Sequence, residues 1–299
     1  MSNIQLGVKV DVCTYAGMKD GVPGLMRLFD TLNIRASFFI ACGPDHSGRA
    51  IRRVFRKGFL QKMMRTNAVG TYGWRTVLYG TLLRGPQIAG SFPDTIRALV
   101  RDGHEVAMHG YDHVYWQDAL PRLSTAAISA EIARAARVLA DILGAPPRAF
   151  GAPGWQCTAA SLAGEDAANL AYHSDTRGLA PFLPEMDGQR FRTLEIPTTL
   201  ATLDETYGRL GTTPEELTAY YRRQLRRGLN VYTAHAEMEG VRQMPHLHHF
   251  LSAVRNDDVP CMRLIDIAGQ LTSVPVARLA PRPIPGRAGT VASQETAVV

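Results

Sequence analysis

The chain predicts an α/β fold, namely a distorted parallel (β/α) barrel of about seven strands with a basic amphipathic helical insert. Two observations predict it. Short apolar stretches alternate with stretches of helical spacing along most of the 299 residues, as they do in βα units. About seven strands are predicted in this way, and a barrel is the natural closure of a parallel sheet built from them.

The predicted elements begin with a strand over 4–12, a helix over 22–32 and a strand over 36–40. Later strands are predicted at 104–109, near 148–151, 170–174 and 194–197, at 230–235 and at the start of 262–272. Later helices are predicted at 93–103, 124–143, 214–227, 246–255 and the end of 262–272. Gly103 and Gly144 stop two of these helices.

We expect one barrel domain over residues 1–285, in which residues 44–92 form a membrane- or lipid-facing insert. From Ser273 onward the chain is rich in Pro, Ala, Gly and Val. That composition predicts a disordered tail over residues 286–299.

The composition is that of a soluble globular protein, with 45% hydrophobic and 20% charged residues. No run of about 18 apolar residues occurs, so we predict no transmembrane helix. The N-terminus lacks the charged and apolar regions of a secretion signal. The four cysteines are sparse and irregularly spaced, and we expect them to be reduced.

The positive charge of the chain is concentrated in the insert. No acidic residue lies between Asp45 and Asp94, whereas nine of the 33 Lys and Arg residues do. The apolar residues interleaved among them predict an amphipathic stretch that lies on an anionic membrane surface. The residues expected at this surface are Arg52, Arg53, Arg56, Lys57, Phe59 and Trp74.

The sequence of the insert allows two other interpretations. Nucleic acid is the rival partner of a basic segment with aromatic residues. We favour a membrane or a lipid chain, and expect no nucleic acid, because aliphatic side chains outnumber stacking aromatic ones. The insert could also pack its apolar side on the barrel, which is compatible with membrane contact.

Three residues at two predicted strand ends form a possible metal-ligand set. His109 and His113 are four residues apart, and on one helical turn this spacing places both imidazoles on the same face. A histidine pair alone is weak evidence, but Cys13 at another strand end completes a set of three. Three protein ligands leave an open position, as in catalytic zinc sites. Thiolate and imidazole suit Zn or Fe(II) better than Mg or Ca.

Two further strand-end residues could move protons beside such a metal. Asp11 shares a strand face with Cys13, since residues i and i+2 point the same way, and could act as a general base. His235 ends the apolar strand in "VYTAH" and could protonate a leaving group. The alternatives are that Asp11 caps a turn and that His235 is an ordinary core histidine.

These residues together resemble the polysaccharide deacetylase family of metal-dependent carbohydrate amidases. Asp-x-Cys stands where that family has paired aspartates, and H-x3-H matches its metal motif. Further matches to its later motifs, in the family's order, are "FGAPGW" (150–155), "HSDTRG" (173–178) and "YTAH" (232–235). The resemblance implies one divalent metal, either Zn, Co, Mn or Fe(II).

The chain departs from the family at two positions. Cys13 replaces an aspartate ligand, which implies a softer ligand set or a weaker site. Gly151 stands where many members have an arginine that tethers the base, and Lys9 or Arg177 could replace that arginine.

Longer stretches such as "NAVGTYGW", "LEIPTTLATLDE" and "VYTAHAEMEG" resemble one branch of that family. That branch removes the formyl group from 4-deoxy-4-formamido-L-arabinose on undecaprenyl phosphate. The resemblance implies formate and a 4-amino sugar as products. It also implies a role in lipid A modification and polymyxin resistance, at the cytoplasmic face of the bacterial inner membrane.

The same resemblance implies roles for further residues. A backbone N–H near Trp155 would stabilise the oxyanion, and Asp175 would orient His235. Glu195 and Arg177 would contact sugar and phosphate, although an ordinary surface ion pair is the alternative. Trp155 and Tyr15 would crowd the acyl group towards formyl.

Two other functions remain open from the sequence. The chain could remove the acyl group of another N-acyl sugar, such as a chitin or peptidoglycan fragment. It could also be a catalytically silent protein that binds a lipid-linked sugar, in which Cys13 marks decay of the site.

Overall fold

The computed structural model describes residues 4–50 and 76–295. The twelve strands in these ranges are β1 (Ile4–Val12), β2 (Ser37–Ile40), β3 (Glu105–Met108), β4 (Ala149–Phe150), β5 (Tyr172–His173), β6 (Leu183–Met186), β7 (Gln189–Arg190), β8 (Leu194–Glu195), β9 (Gly228–His235), β10 (Cys261–Met262), β11 (Val276–Pro283) and β12 (Thr290–Gln294). The ten α-helices are α1 (Val22–Thr31), α2 (Pro93–Arg101), α3 (His113–Ala119), α4 (Thr125–Leu143), α5 (Ala159–Ala167), α6 (Leu203–Thr206), α7 (Pro214–Gln224), α8 (Ala236–Glu239), α9 (Met244–Asn256) and α10 (Leu264–Gln270).

The main sheet is parallel throughout. Its strands follow in the order β10-β1-β2-β3-β4-β5-β8, and β9 pairs with β1 over almost the full length of both strands. β1 is buried from Leu6 to Val12 because helices and other strands cover both of its faces. The prediction of a parallel (β/α) barrel is therefore confirmed.

The sheet curls until its two ends approach each other. The backbone N–H groups of Thr199 and Leu200, just after β8, both donate to the carbonyl oxygen of Val231 in β9 at 3.1 Å. The carboxyl ends of the strands consequently surround one mouth of the barrel. Asp11, His109 and His235 all lie at this end.

Local sequence signals fix the helices that surround the sheet. Ser124 caps the N-terminus of α4 by accepting a hydrogen bond from the backbone of Ala127 at 3.2 Å. Gly144 ends the same helix in the left-handed conformation, with a φ of 73° that glycine adopts without strain. The inner faces of α1, α4 and α9 bury Leu and Ile side chains in one continuous core with β1 and β2.

The C-terminal segment differs from the sequence prediction. Residues 276–294 form β11 and β12, an antiparallel hairpin that joins β6 and β7 in a second sheet of the order β12-β11-β6-β7. Ala277 and Val291 are buried there, so the hairpin has apolar side chains to bury despite its many prolines. The disorder predicted from residue 286 is thus wrong for 286–294, and residues 296–299 lie outside the described residues.

Only the two ends of the predicted insert belong to the described chain. They are held together by backbone hydrogen bonds, from Asp45 to Pro86 at 2.8 Å and from Gly48 to Tyr79 at 2.9 Å. Leu82 is 82% exposed at this base. Within the described ranges, no helix has both the length and the apolar character that crossing a membrane requires.

Candidate active site

Asp11 lies near the end of β1, and Lys9 lies two residues earlier on the same face of the strand. The Nζ of Lys9 is 3.4 Å from Asp11 Oδ1, and both side chains are buried. Burial raises the pKa of Asp11, but Lys9, His109 and His235 lower it more, so the net pKa is below its ordinary value. Asp11 is therefore an ionised carboxylate and can accept a proton.

Cys13, His109 and His113 form a compact ligand group in front of Asp11. One ligand atom from each lies within 4.8 Å of the other two. His109 Nε2 is 3.9 Å from Asp11 Oδ2, so the carboxylate borders the group. One thiol and two imidazoles are a sufficient donor set for a catalytic zinc-type ion.

The protonation states of these groups fit a bound cation. Burial lowers the pKa of His109 to about 4, so its imidazole is neutral and able to ligate. Its Nδ1 lies 2.7 Å from the carbonyl oxygen of Gly151 and donates to it, which leaves Nε2 as the lone-pair nitrogen facing the group. Burial raises the pKa of the Cys13 thiol well above its ordinary value, and Glu237 raises it further. A cation is what would ionise such a thiol.

The two histidines converge for a different reason from the one predicted. They do not share a helical turn, because His109 follows β3 and His113 is the first residue of α3. Gly110, with a φ of 75°, turns the chain between them. Asp112 caps α3 by accepting a hydrogen bond from the backbone of Tyr115 at 3.0 Å, and thereby fixes where His113 begins the helix.

His235 lies beside Asp11 on the neighbouring strand. The two residues are register partners in the β1–β9 pairing. The backbone N–H of His235 donates to Glu239 in α8 at 3.0 Å, and its ring stands edge-on to Trp155 with the centroids 6.2 Å apart. Asp11 and His235 thus lie side by side on adjacent strands at the mouth of the barrel.

Glu237 is a site residue that the sequence reasoning missed. Its Oε2 accepts a hydrogen bond from the backbone N–H of Cys13 at 3.5 Å, and it is only 3% exposed. Burial raises the pKa of Glu237 to about 7. Its position two residues after His235 in "HAEMEG" was the available signal, but an acidic residue in a short helix ordinarily faces solvent.

Lys9 occupies the space that the family's arginine would need. A Cβ on Gly151 would lie 2.6 Å from Phe39 Cδ1 and 3.3 Å from Lys9 Nζ. Lys9 also donates to the carbonyl oxygen of Ser174 at 2.9 Å and lies over the ring of Phe39. Of the two predicted replacements for the arginine, Lys9 rather than Arg177 contacts Asp11.

In the structure Arg177 and Glu195 are both buried, and the predicted alternative of an ordinary surface ion pair does not describe them. Arg177 donates to Glu205 at 2.6 Å and to the carbonyl oxygen of Leu200 at 2.8 Å. Glu195 has no exposed surface and accepts hydrogen bonds from the backbone of Asp175 and Thr176. A sugar could reach Glu195 only by displacing these contacts, so direct substrate contact by Glu195 is not supported.

Asp175 is likewise enclosed. Its Oδ1 accepts a hydrogen bond from the backbone of Ala152 at 2.7 Å, and its Oδ2 faces His173 at 3.5 Å. It has no exposed surface for a substrate. These contacts place Asp175 behind the mouth of the barrel, next to the loop that holds Trp155.

Trp155 and Tyr15 border the mouth of the barrel. Trp155 has a φ of 54° and donates from Nε1 to Thr198 at 3.1 Å. The guanidinium groups of Arg177 and Arg287 lie 5.2 Å and 4.5 Å from the centroid of its ring. The backbone of Tyr15 donates to Asp45 at the base of the insert. The predicted membrane residues Arg52, Arg53, Arg56, Lys57, Phe59 and Trp74 all lie outside the described residues.

The fold and this site together define a hydrolase-type barrel with its candidate centre at the carboxyl ends of parallel strands. The chain belongs to the polysaccharide deacetylase family, whose model matches residues 10–173. A relative from Shewanella sediminis is 37% identical over 79% of this chain and 77% of its own length. A second, from Wigglesworthia glossinidia brevipalpis, is 32% identical over 93% of this chain and 98% of its own length. Both are named "Probable 4-deoxy-4-formamido-L-arabinose-phosphoundecaprenol deformylase ArnD".

Solved structures share the fold at low sequence identity. A Mycobacterium smegmatis protein assigned to the polysaccharide deacetylases has a TM-score of 0.64 at 20% identity, with 95% of each chain covered. A pseudoenzyme of carbohydrate esterase family 4 from Bacillus anthracis has a TM-score of 0.52 at 11% identity, covering 88% of this chain and 65% of its own. Because a pseudoenzyme has the same fold, the fold alone does not establish catalysis.

Proposed function

We propose that this protein is a metal-dependent deformylase that acts on 4-deoxy-4-formamido-L-arabinose carried on undecaprenyl phosphate. The observation that carries the proposal is that Asp11 and His235 are register partners on adjacent strands, at the same end of the barrel as the ligand group of Cys13, His109 and His113. The names of the two relatives supply the substrate. The substrate is therefore a polyprenyl-phosphate-linked aminosugar.

Cys13, His109 and His113 would hold the metal. A divalent ion there supplies Lewis acidity and makes water a stronger acid. Asp11, which is ionised, takes the proton of the water that attacks the formyl carbon. His235 gives a proton to the nitrogen as the C–N bond breaks, so the products are formate and the free 4-amino sugar. Buried Trp155 shields this side of the site from bulk water.

The cation-rich insert supports a peripheral place at an anionic membrane. Its nine basic residues stand in a stretch without one acidic residue, and Leu82 at its described base is 82% exposed. A basic surface with exposed aliphatic groups binds anionic headgroups. We infer that the protein works at the cytoplasmic face of the inner membrane, where its product serves lipid A modification and resistance to cationic peptides such as polymyxin.

The test is formate release by the purified protein from the lipid-linked formamido sugar in detergent. The protein is assayed as purified, after chelation, and after return of Zn, Co, Mn or Fe(II). We expect formate only with metal, and a rate about 10²- to 10⁴-fold lower from Asp11→Asn, whereas Asp141→Asn on the exposed face of α4 releases formate normally. No formate from folded protein with any metal would overturn the proposal. Release of acetate from an acetylated sugar would then indicate a deacetylase, and tight lipid-sugar binding without turnover a silent binding protein.

A further inference from the structure

A second group of ligand-type side chains lies behind the active site. Glu165 comes from α5, His173 from the end of β5, and Asp175 from two residues further on. None of the three has any exposed surface. One ligand atom from each lies within 4.8 Å of the other two, as in the Cys13 group.

Five polar atoms of this group lack an aligned hydrogen-bond partner. Among the described residues, no hydrogen bond reaches either carboxylate oxygen of Glu165, either ring nitrogen of His173, or Oδ2 of Asp175. Buried polar atoms are almost always hydrogen-bonded in folded proteins. Unpartnered atoms on three neighbouring side chains within 4.8 Å of one another are what a bound cation would satisfy.

The group also has more carboxyl groups than cationic side chains. The ion pairs found for Glu165 and Asp175 in the described ranges join them to His173 alone. A third carboxylate, Glu195, places Oε2 at 2.5 Å from His173 Nδ1 without hydrogen-bond alignment. Burial and the neighbouring carboxylates Asp175 and Glu195 raise the pKa of Glu165 well above its ordinary value, so the excess negative charge must be offset by a proton or by a cation.

The distances match those of a metal site. His173 Nδ1 lies 3.7 Å from Glu165 Oε2 and 3.5 Å from Asp175 Oδ2. Ligands of a tetrahedral ion with bonds of about 2.0–2.2 Å lie roughly 3.4 Å apart. We propose that Glu165, His173 and Asp175 bind a second divalent cation of the Zn type, separate from the one at Cys13.

Such a cation would be structural. The group is enclosed, so it offers a substrate no access, whereas structural sites are closed in this way. Asp175 Oδ1 holds the backbone of Ala152, next to Gly151, whose carbonyl oxygen accepts from His109. The ion would therefore join α5 and β5 to the loop that orients an active-site ligand.

Metal content of the full chain tests the proposal. The Cys13→Ala/His113→Ala double variant leaves one ligand of the active-site group, and His173→Gln removes a ligand of the second. After equilibration with Zn and gel filtration, we expect about two ions per wild-type chain and about one in the Cys13→Ala/His113→Ala variant. Adding His173→Gln to that variant should leave none. His248→Gln, on the exposed face of α9, is the matched control and should leave two.

A second readout keeps the test decisive if His173→Gln does not fold. Zn should raise the melting temperature of the Cys13→Ala/His113→Ala variant in a concentration-dependent manner. Glu165→Gln, which keeps the side-chain shape, should abolish that rise. The proposal would be overturned by one ion per wild-type chain and none in the Cys13→Ala/His113→Ala variant, together with a melting temperature of that variant that does not change with Zn. The carboxylates would then share protons instead.

Discussion

The ammonium group of Lys9 lies 3.4 Å from the carboxylate of Asp11, two residues along the same strand, and both side chains are buried. The candidate base is therefore held in its charged form by a residue of its own strand. This relationship makes the pH dependence of the enzyme sensitive to a single substitution.

Lys9→Met should move the acid limb of the kcat/KM profile to higher pH. Burial raises the pKa of Asp11 and Lys9 is the largest influence that lowers it, so removal of Lys9 raises the pKa. Asp11 then stays protonated up to a higher pH, and it cannot act as a base below that pH. The fold should also lose stability, about 3–5 kcal/mol, because a buried charge is left unpaired. Lys19→Met, on the surface, should change neither, and an unmoved acid limb in folded Lys9→Met would contradict this account.

Gly151→Ala should destabilise the fold and lower activity. The new Cβ would lie 2.6 Å from the buried ring of Phe39 and would also press on Lys9. Overpacking of this kind costs about 1–3 kcal/mol, measurable by urea unfolding. Gly269→Ala is the matched control, since a Cβ there has no neighbour within 4 Å and lies in a helix. It should be neutral or stabilising by up to about 1 kcal/mol. Equal stability of the two variants would refute the crowding argument.

Cys13→Asp should preserve metal binding but change the preferred metal. An oxygen donor in place of a thiolate favours harder ions such as Mn or Fe(II) over Zn. The measurement is the activity of chelated enzyme reconstituted with each metal in turn. Cys261→Ala, at a cysteine outside the site, should leave the order of metals unchanged. An unchanged order in Cys13→Asp would mean that position 13 is not a ligand.

His235→Asn should reduce kcat by about 10²- to 10⁴-fold, which is the usual contribution of a general acid to the reaction rate. Metal content should stay the same, because His235 is not in the ligand group. Combined with Asp11→Asn, the loss should be smaller than the product of the two single losses, since both groups act on one proton-transfer sequence. His248→Asn serves as the control. A His235→Asn enzyme with normal kcat would exclude it as the acid.

Neutralising the insert should weaken membrane binding without lowering activity on a detergent-dispersed substrate. We would replace Arg52, Arg53, Arg56 and Lys57 by Gln and measure co-sedimentation with vesicles containing anionic lipid. Each basic residue near such a surface contributes about 1 kcal/mol, and salt screens the effect. The same number of substitutions at the exposed Arg137, Arg223, Arg226 and Arg242 tests whether net charge alone explains the result. Equal losses in both variants would refute a dedicated surface.

The sequence predicted those parts of the molecule that depend on local pattern and residue type. The strand over 4–12 is apolar and continuous, and Cys13, His109 and His113 are residue types that bind metals. Lys9 could not be predicted as a buried partner of Asp11, because lysine is ordinarily exposed and only the fold places its ammonium group over the ring of Phe39. The cap by Asp112 and the position of Glu237 depend on three-dimensional neighbours in the same way.

For the C-terminal hairpin, the local sequence pattern predicted disorder where the structure has two paired strands. Prolines and glycines in 273–289 predict an irregular tail when the segment is considered alone. In the structure β11 pairs with β6, and Arg287 in the connecting loop lies 4.5 Å above the Trp155 ring. Order there comes from a partner strand distant in sequence, which no local pattern reports.

The pairing of β1 with β9 also bears on how the protein is made. Asp11 is synthesised long before its strand neighbour His235, because most of the given sequence separates them. The pairing of β1 with β9 therefore forms late, after the elements between them are available. A chain that stops before β9 would contain Cys13, His109 and His113 but lack His235, so the candidate site is complete only once β1 and β9 have paired.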